Sequence, residues 1–464
     1  MIFPLIAAVV AVLIASQAGV KDVAITGVTI IDPSAANPYL RNQTILVQDG
    51  VIKSAGPARA ITIPKGARII DARGKFAIPG LWDMHVHFMN TGVSALPLLV
   101  ANGITSVREM GGYLDSTRAW QGRMAAGTLV GPRIVTPGPI LESAQYLQGV
   151  RERSARLGGR LAPRVLPYRV EIATPEDARR VMDSLARLKV DFVKIRTTGS
   201  AEAYFAILRE ARRVGLTVVG HQPSVVTLAS ASDSGQRSIE HAFLPPLSGL
   251  GDSARFALYE RFAHNGTWYT PTLVVTKAVL VSGDSAAKAI FGDSAAVHDE
   301  RRQYASPWLL GWWRMQVDER ETDTSTARLA AMRAFFRSSA EDVRRMHAAG
   351  VNILAGTDAG SVLVYPGFSL HEELELMVSE AGLTPKDALY SATVAPARFL
   401  GLTAKLGAIA AGKVADIVLL NADPLIDIHN ARRIFAVVQA GHVFNRSELD
   451  ALLRGVRDSA SRFP

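Results

Sequence analysis

The alternation of apolar and polar positions changes texture twice along the 464-residue chain. Between 23 and 78, short β-rich runs at 23–31, 43–47, 51–54 and 68–71 are punctuated by Asp49-Gly50, Pro64 and Gly74, which predicts strands joined by turns. From about 80 to 401, short apolar runs alternate with helical periodicity, the pattern of a parallel sheet under covering helices. Eight such runs can be traced, at 81–88, 104–109, 133–136, 192–196, 217–221, 238–241, 268–272 and 352–357. Eight units of this kind predict a (β/α)8 barrel, a fold of ~250 residues that accepts long insertions. Beyond 401 the β texture returns, strongest at 417–420 and 435–438, before a short polar helix near 447–459.

The fold class expected is therefore α/β: a (β/α)8 TIM barrel with a small β-sandwich domain formed by the N- and C-terminal segments. Residues 19–79 would supply the first part of the sandwich, 80–401 the barrel, and 402–464 the second part with the C-terminal helix. The length in excess of a plain barrel falls in two places. One is 141–170, which carries Arg151, Arg153, Arg156, Arg160, Arg164 and Arg169. Loops after barrel strands open on the catalytic face, so this one either covers the site and favours anionic substrates or is a solvated basic loop. The other is a helical stretch at about 282–341, where Trp308, Trp312 and Trp313 predict burial against the barrel or a second subunit.

Residues 1–18 hold an unbroken apolar run, Ile2 to Ala15, shorter than the ~20 residues of a spanning helix. Ser16 and Ala18 supply small residues at a peptidase site, so a signal peptide cleaved after Ala18 is expected, although no Lys or Arg precedes the apolar run. An uncleaved anchor is the other reading. Export to the periplasm or the medium follows from the first, with no membrane insertion after processing.

Composition narrows the chemistry. With 48% hydrophobic and 20% charged residues, the chain has the makings of a packed core and disorder is excluded. Cysteine is absent, which removes disulfide scaffolds, thiolate metal sites and cysteine nucleophiles. Any metal must bind nitrogen and oxygen. Basic residues exceed acidic ones by nine. Spread over this length, the excess is a weak pointer to nucleic acid, and the interleaved aromatics of a single-strand groove are missing.

Asp83-Met84-His85-Val86-His87 places two imidazoles at i and i+2, on one face of the first barrel strand, where both can reach one metal. Gly220-His221, Glu240-His241 and Gly356-Thr357-Asp358 each put a further ligand type at the end of an apolar run, where a barrel gathers its functional groups. Lys194, in Phe192-Val193-Lys194-Ile195-Arg196, is a cation inside an apolar strand. It must be paired, modified or allowed to snorkel. Carboxylation by CO2 would turn it into an anion with two oxygens. Arg196 shares the face of Lys194, to grip a substrate carboxylate or to pair with a barrel acid. Glu109 and Tyr113, at and beyond the end of the second strand, are plausible substrate contacts. His371-Glu372-Glu373 lacks the second histidine of a zinc-protease helix and reads as a helix face.

Taken together, these stretches resemble the amidohydrolase superfamily. The specific likeness is to its binuclear-metal branch of imidazolonepropionase-like amidohydrolases, Xaa-Pro dipeptidases and ochratoxinase-like amidases. The likeness runs from Ile25-Thr26-Gly27-Val28 through Pro79-Gly80-Leu81-Trp82-Asp83-Met84-His85-Val86-His87 to Gly356-Thr357-Asp358-Ala359-Gly360, Ala395-Pro396-Ala397-Arg398 and Gly412-Lys413-Val414-Ala415-Asp416. It implies that His85, His87 and Asp358 bind one divalent ion and His221 and His241 a second. Carboxylated Lys194 would bridge the two, with zinc the first choice for such ligands and manganese, cobalt or iron also allowed.

The implied reaction is hydrolysis of a peptide-like amide by a hydroxide activated between the metals, with Asp358 as ligand and general base. A dipeptide, an N-acyl amino acid or an aryl amide with a nearby carboxylate would be the substrate. Mononuclear deaminases of the superfamily lack the lysine. Opening of a cyclic amide or lactone is the alternative activity, and a non-catalytic basic binding protein the alternative class. Relatives often carry Gly-Gly-His after the third strand, and small residues or a histidine after the ligand of the fifth. Here 141–170 has no histidine, and Gln222-Pro223 follows His221, so substrate preference does not transfer. The partner expected is a small amide or peptide, with a homo-oligomer allowed.

Overall fold

A computed structural model describes residues 22–222, 224–241, 247, 249–318 and 326–462. The expected signal peptide lies outside them. Among the described residues, no helix is long and apolar enough to cross a membrane.

The N-terminal strands are β1 (Val23–Ile31), β2 (Tyr39–Gln48), β3 (Val51–Pro57), β4 (Arg68–Asp71) and β5 (Phe76–Pro79). After the barrel, strands β6 to β14, come β15 (Ile417–Leu420), β16 (Ile434–Gln439) and β17 (His442–Asn445). All eight belong to one hydrogen-bonded sheet in the order β17-β16-β15-β5-β1-β2-β3, with β4 on β1. The two ends of the chain meet where β5 and β15 pair antiparallel, Pro79 opposite Ile417 and Phe76 opposite Leu420. Alternation decides which side chains go inward: Val23, Ile25, Ile45, Val47, Ile417 and Leu419 pack into one apolar core.

The barrel strands are β6 (Leu81–Val86), β7 (Ile104–Glu109), β8 (Arg133–Val135) with β9 (Ile140–Glu142), β11 (Val193–Ile195), β12 (Val218–Gly220), β13 (Ser238–Glu240) and β14 (Trp268–Thr270). The third strand is broken at Pro137-Gly138-Pro139: β8 pairs with β7, whereas β9 pairs with β11. The eighth run, 352–358, is too irregular to count as a strand, yet it is bonded on both flanks. Leu354 donates to Tyr269, Met84 donates to Ala355 and Asp358 donates to His85, at 2.8 to 2.9 Å. These bonds join the last strand to the first and close the ring, so the eight predicted runs form the barrel of an α/β fold carrying a small β domain.

One face of the barrel anchors that domain. The Arg133 guanidinium, at the start of β8, pairs with Asp416 at 2.7 Å and also reaches Ser106 on β7. Asp416 in turn accepts from the backbone N–H of Ala440 at 2.8 Å. The chemistry-bearing residues sit at the other, C-terminal, face, as in other barrels.

The two insertions are more ordered than the sequence pattern suggests. The arginine-rich segment is built from β9, the helices Ala144–Arg156 and Ala162–Val165, and strand β10 (Arg169–Glu171), which pairs with β9. It is a folded cover, because Leu147, Val150, Leu161 and Val165 are buried despite the arginines around them. In the second insertion, Pro307–Asp318 buries Trp313 completely while Trp308 stays half exposed. Arg164 reaches across from the first insertion. Its guanidinium lies 3.8 Å over the Trp308 ring and donates to the Trp308 carbonyl at 3.0 Å.

Strand ends that approach one another this closely leave no room for a side chain at two glycines. A Cβ on Gly356 would come within 2.9 Å of His85 Cβ. At Gly220, with φ of +135°, it would fall 1.9 Å from the carbonyl oxygen of Ile195. Gly220→Ala should therefore destabilise the protein by about 3 kcal/mol or more in chemical denaturation. Gly122→Ala, in a helix with nothing near the added methyl, should instead gain about 0.5–1 kcal/mol.

Candidate metal centre

Four imidazoles converge because they lie at the ends of three strands or directly follow them. His85 is in β6 and His87 is the first residue beyond it, while His221 and His241 are the first residues beyond β12 and β13. Ring centroids of His85 and His241 lie 4.5 Å apart, those of His221 and His241 4.6 Å and those of His85 and His87 5.3 Å. Asp358, from the eighth run, places Oδ1 3.3 Å from His87 Nε2 and 3.6 Å from His85 Nε2. The ligand atoms of His85, His241 and Asp358 lie within 4.8 Å of one another, close enough for one ion. His87, Lys194, His221, His241 and Asp358 line one cavity of about 380 Å3, and His85 is buried beneath it. All six residues singled out in the sequence are thus brought to a single place.

Behind the imidazoles stands a buried polar scaffold. His85 Nδ1 is 3.1 Å from Glu240, which leaves Nε2 facing Asp358. With the ring hydrogen on Nδ1 and given to the carboxylate, Nε2 presents its lone pair to the site. Glu240 also receives Arg108 at 2.7 Å and the Ser238 hydroxyl. The Arg108 guanidinium spans the barrel, donating to the Met84 carbonyl at 2.7 Å and to Thr270 at 3.2 Å. On the other side, Asp83 accepts from Thr357 through both backbone and hydroxyl, at 3.0 and 2.6 Å, tying the first strand to the eighth.

Three non-glycine residues here adopt left-handed backbone: His241, Thr272 and Asp358, with φ of 78°, 46° and 59°. Each costs of order 1–3 kcal/mol and has to be held. Thr272 is fixed by Glu373, whose two oxygens accept the N–H groups of Leu273 and Val274 at 2.9 and 2.7 Å. Its hydroxyl is 3.0 Å from His241 Nδ1. His371 and Glu373 do lie on a helix, Phe368–Ser379, as expected. The acid caps the segment behind a site histidine.

Electrostatics follow from burial among like charges. Desolvation, then the neighbouring His241 and Lys194, holds His85 far below the ordinary imidazole range; His221 is lowered in the same way. His241 is brought down to about 4, chiefly by burial. Burial also lowers Lys194 to about 8, with Arg108 and Arg196 adding to the effect. For Asp358 burial works upward, but the His87 hydrogen bond and the His241 and His87 charges outweigh it and bring the carboxyl to about 2. Burial thus favours the neutral form of His85, His221 and His241, and the surroundings of Asp358 favour its ionised form, the protonation states a metal requires. Two buried atoms here have no hydrogen-bond partner, His85 Nε2 and Lys194 Nζ. An orphaned lone pair and an orphaned amine turned to one cavity fit a group bound between them, since burial without a partner is otherwise costly.

Arg196 lines the cavity and lies 3.7 Å from Glu142, so the expected pairing with a barrel acid is present in a side chain that also faces the cavity. Tyr113 is not among the lining residues. Its ring packs edge-on against Tyr168, 5.4 Å between centroids, and Tyr168 faces the cavity in its place. Glu109 is buried, receives the Thr136 hydroxyl at 2.8 Å and is raised by burial to about 7. Sequence reasoning passed over Arg108, Glu240, Tyr146 and Trp312. Arg108 had a visible signal, the same cation within an apolar strand that marked Lys194. Tyr146 and Trp312 had none, because only the folding of the two insertions brings them to the cavity.

A cluster of histidines, lysine and aspartate at the C-terminal mouth of a (β/α)8 barrel is the mark of the metal-dependent barrel hydrolases. The chain belongs to the amidohydrolase family, whose sequence profile matches residues 76–445, and it is accordingly a hydrolase of C–N bonds. It is 24% identical over 448 residues to ochratoxinase of Aspergillus niger, covering 86% of this chain and 81% of that one. To imidazolonepropionase of Symbiobacterium thermophilum it is 25% identical over 406 residues, covering 81% and 83%. The solved bottromycin amidohydrolase shares the fold with a TM-score of 0.73 at 24% identity, over 99% of this chain and 94% of that one.

Because Glu240 answers Arg108 in a water-free interior, Glu240→Ala should cost about 3–5 kcal/mol in a denaturant titration. Removing Arg108 as well, by Arg108→Met, should recover part of that loss. A double variant no more stable than the single would show that the pair is not the source.

Proposed function

We propose that the protein is an exported amidohydrolase that cleaves a peptide-like amide next to a carboxylate, using two divalent ions. In this reading His85, His87 and Asp358 would hold one ion and His221 and His241 the second, and Lys194, as its carbamate, would be a ligand to both. The lysine amine would bond to the carbon of CO2 and release a proton to solvent. The observation that carries the reading is the pair of orphaned atoms, His85 Nε2 and Lys194 Nζ, buried beside four imidazoles and an ionised carboxylate. Ligands of this type suit zinc first. Export rests on the apolar run and the small residues at 16 and 18.

Bound there, divalent ions supply Lewis acidity toward a carbonyl and lower the pKa of a water. The chain's own residues do the rest. Asp358, kept ionised by its neighbours and held by the Ser361 hydroxyl at 2.9 Å, takes the proton of the attacking water and delivers it to the departing nitrogen. Glu240 fixes the His85 ring and Thr272 the His241 ring, so neither ligand has to be ordered when substrate arrives. Arg196 orients the carboxylate of the substrate and thereby the scissile bond.

Elemental analysis of protein purified without chelator should find two transition-metal equivalents per chain. The metal-loaded protein should turn over members of a library of dipeptides and N-acyl amino acids. Asp358→Asn should lose about 10²-fold or more in kcat. An unchanged rate in that variant, or protein free of metal, would refute the mechanism.

A further inference from the structure

The cavity wall contributed by the arginine-rich insertion and its neighbours is more basic than its own carboxylates can answer. The guanidinium carbons of Arg196, Arg169 and Arg153 lie 4.2, 5.2 and 5.8 Å from the centroid of one ring, that of Tyr146. Glu142, fully buried, is the acid that faces them. It pairs with Arg169, stands 3.7 Å from Arg196 and accepts the Thr197 hydroxyl at 2.6 Å. The adjacent acid Glu152 points away and accepts from Gln148. Arg153 pairs with no carboxylate among the described residues. Among the described side chains lining the cavity, Asp358 is the sole acid, and it belongs to the metal end.

Among the described residues, the one carboxylate of Glu142 thus meets Arg169 and Arg196 and none meets Arg153, while Nε of Arg169 is buried with no hydrogen-bond partner. Like charges packed around one ring repel unless an anion completes the set. Two positive charges remain after Glu142 is counted, and a single substrate carboxylate would answer only one. A different wall is apolar: Val150, Leu161 and Val165 form a small buried cluster, joined by Trp312 from the second insertion.

We propose that the cavity is built for amides whose amine part carries two carboxylates, as in a dipeptide ending in glutamate or an N-acyl-glutamate. Arg196, beside Arg169, takes one carboxylate and Arg153 the other. The acyl part is apolar and lies on Val150, Leu161 and Trp312. Each guanidinium offers a fork that matches a carboxylate, and Tyr146 keeps the three forks in place by lying under them. This rests on the amide-hydrolase reading and extends it from one substrate carboxylate to two.

The metal-loaded enzyme is assayed with Leu-Glu, Leu-Gln and Leu-Leu, and glutarate and butyrate are titrated into it by calorimetry. Expected are a kcat/KM for Leu-Glu at least tenfold above that for Leu-Gln, and glutarate binding at least tenfold tighter than butyrate. In Arg153→Met both ratios should fall to about two or less. Equal hydrolysis of Leu-Glu and Leu-Gln, or equal binding of the two acids, would overturn the proposal while leaving amide hydrolysis standing. Selective glutarate binding without turnover of any dipeptide would support the subsite and count against the hydrolase reading.

Discussion

A guanidinium cut off from water has to be met by a carboxylate, and in the interior of this barrel Arg108 meets Glu240. That pair links β7 to β13, reaches β14 through Thr270, and sets the His85 ring by way of the second bond that Glu240 makes. Four strands of the ring are therefore cross-braced by polar groups directly beneath the site. Apolar packing of similar volume would hold the strands together as well or better. What the charged brace adds is orientation: it decides which nitrogen of His85 carries hydrogen and where the other points.

The same logic explains why strain collects at the mouth. His241, Thr272 and Asp358 turn left-handed at or just beyond the ends of their runs, which redirects the chain at the mouth of the barrel. Such turns persist only where neighbours over-determine them. Here Glu373 pins the backbone after Thr272, and Asp83 pins Thr357 just before Asp358. Two buried acids thereby hold the backbone beside His241 and just before Asp358. Their burial pushes them to about 8 and about 7, which measures how much desolvation the fold accepts for that purpose.

The barrel was legible because its strands, buried on both faces, read as short apolar runs, and because the chemistry lies at their ends. Lys194 stood out as a charge within such a run; Arg108 carries the same mark and was as readable. The eighth run shows the limit of periodicity. Residues 352–358 bond on both flanks without regular strand geometry, since Gly356 has to pass within contact of His85. The partner of β16 escaped notice because His442–Asn445 has only two apolar residues, Val443 and Phe444, between polar ends. The arginine-rich segment was the least readable. Its helix Ala144–Arg156 turns Leu147 and Val150 inward among six charged or amide side chains, a stripe too narrow to register as amphipathic.

That segment also bears on the excess of nine basic charges. Charge scattered over a surface tunes solubility and encounter rates, whereas charge enclosed in a cavity selects what enters. Arg153, Arg169 and Arg196 are of the second kind, because they line the cavity around one ring and two of them meet one buried acid. Arg164, from the same segment, is spent differently, stacked on Trp308 to hold the two insertions together over the mouth. The histidines, Lys194 and Asp358 come from barrel strand ends, whereas Tyr146, Arg153, Arg169 and Trp312 come from the two insertions. Arg196, directly after β11, joins the two, so one wall of the cavity can vary with the insertions while the strand ends stay as they are.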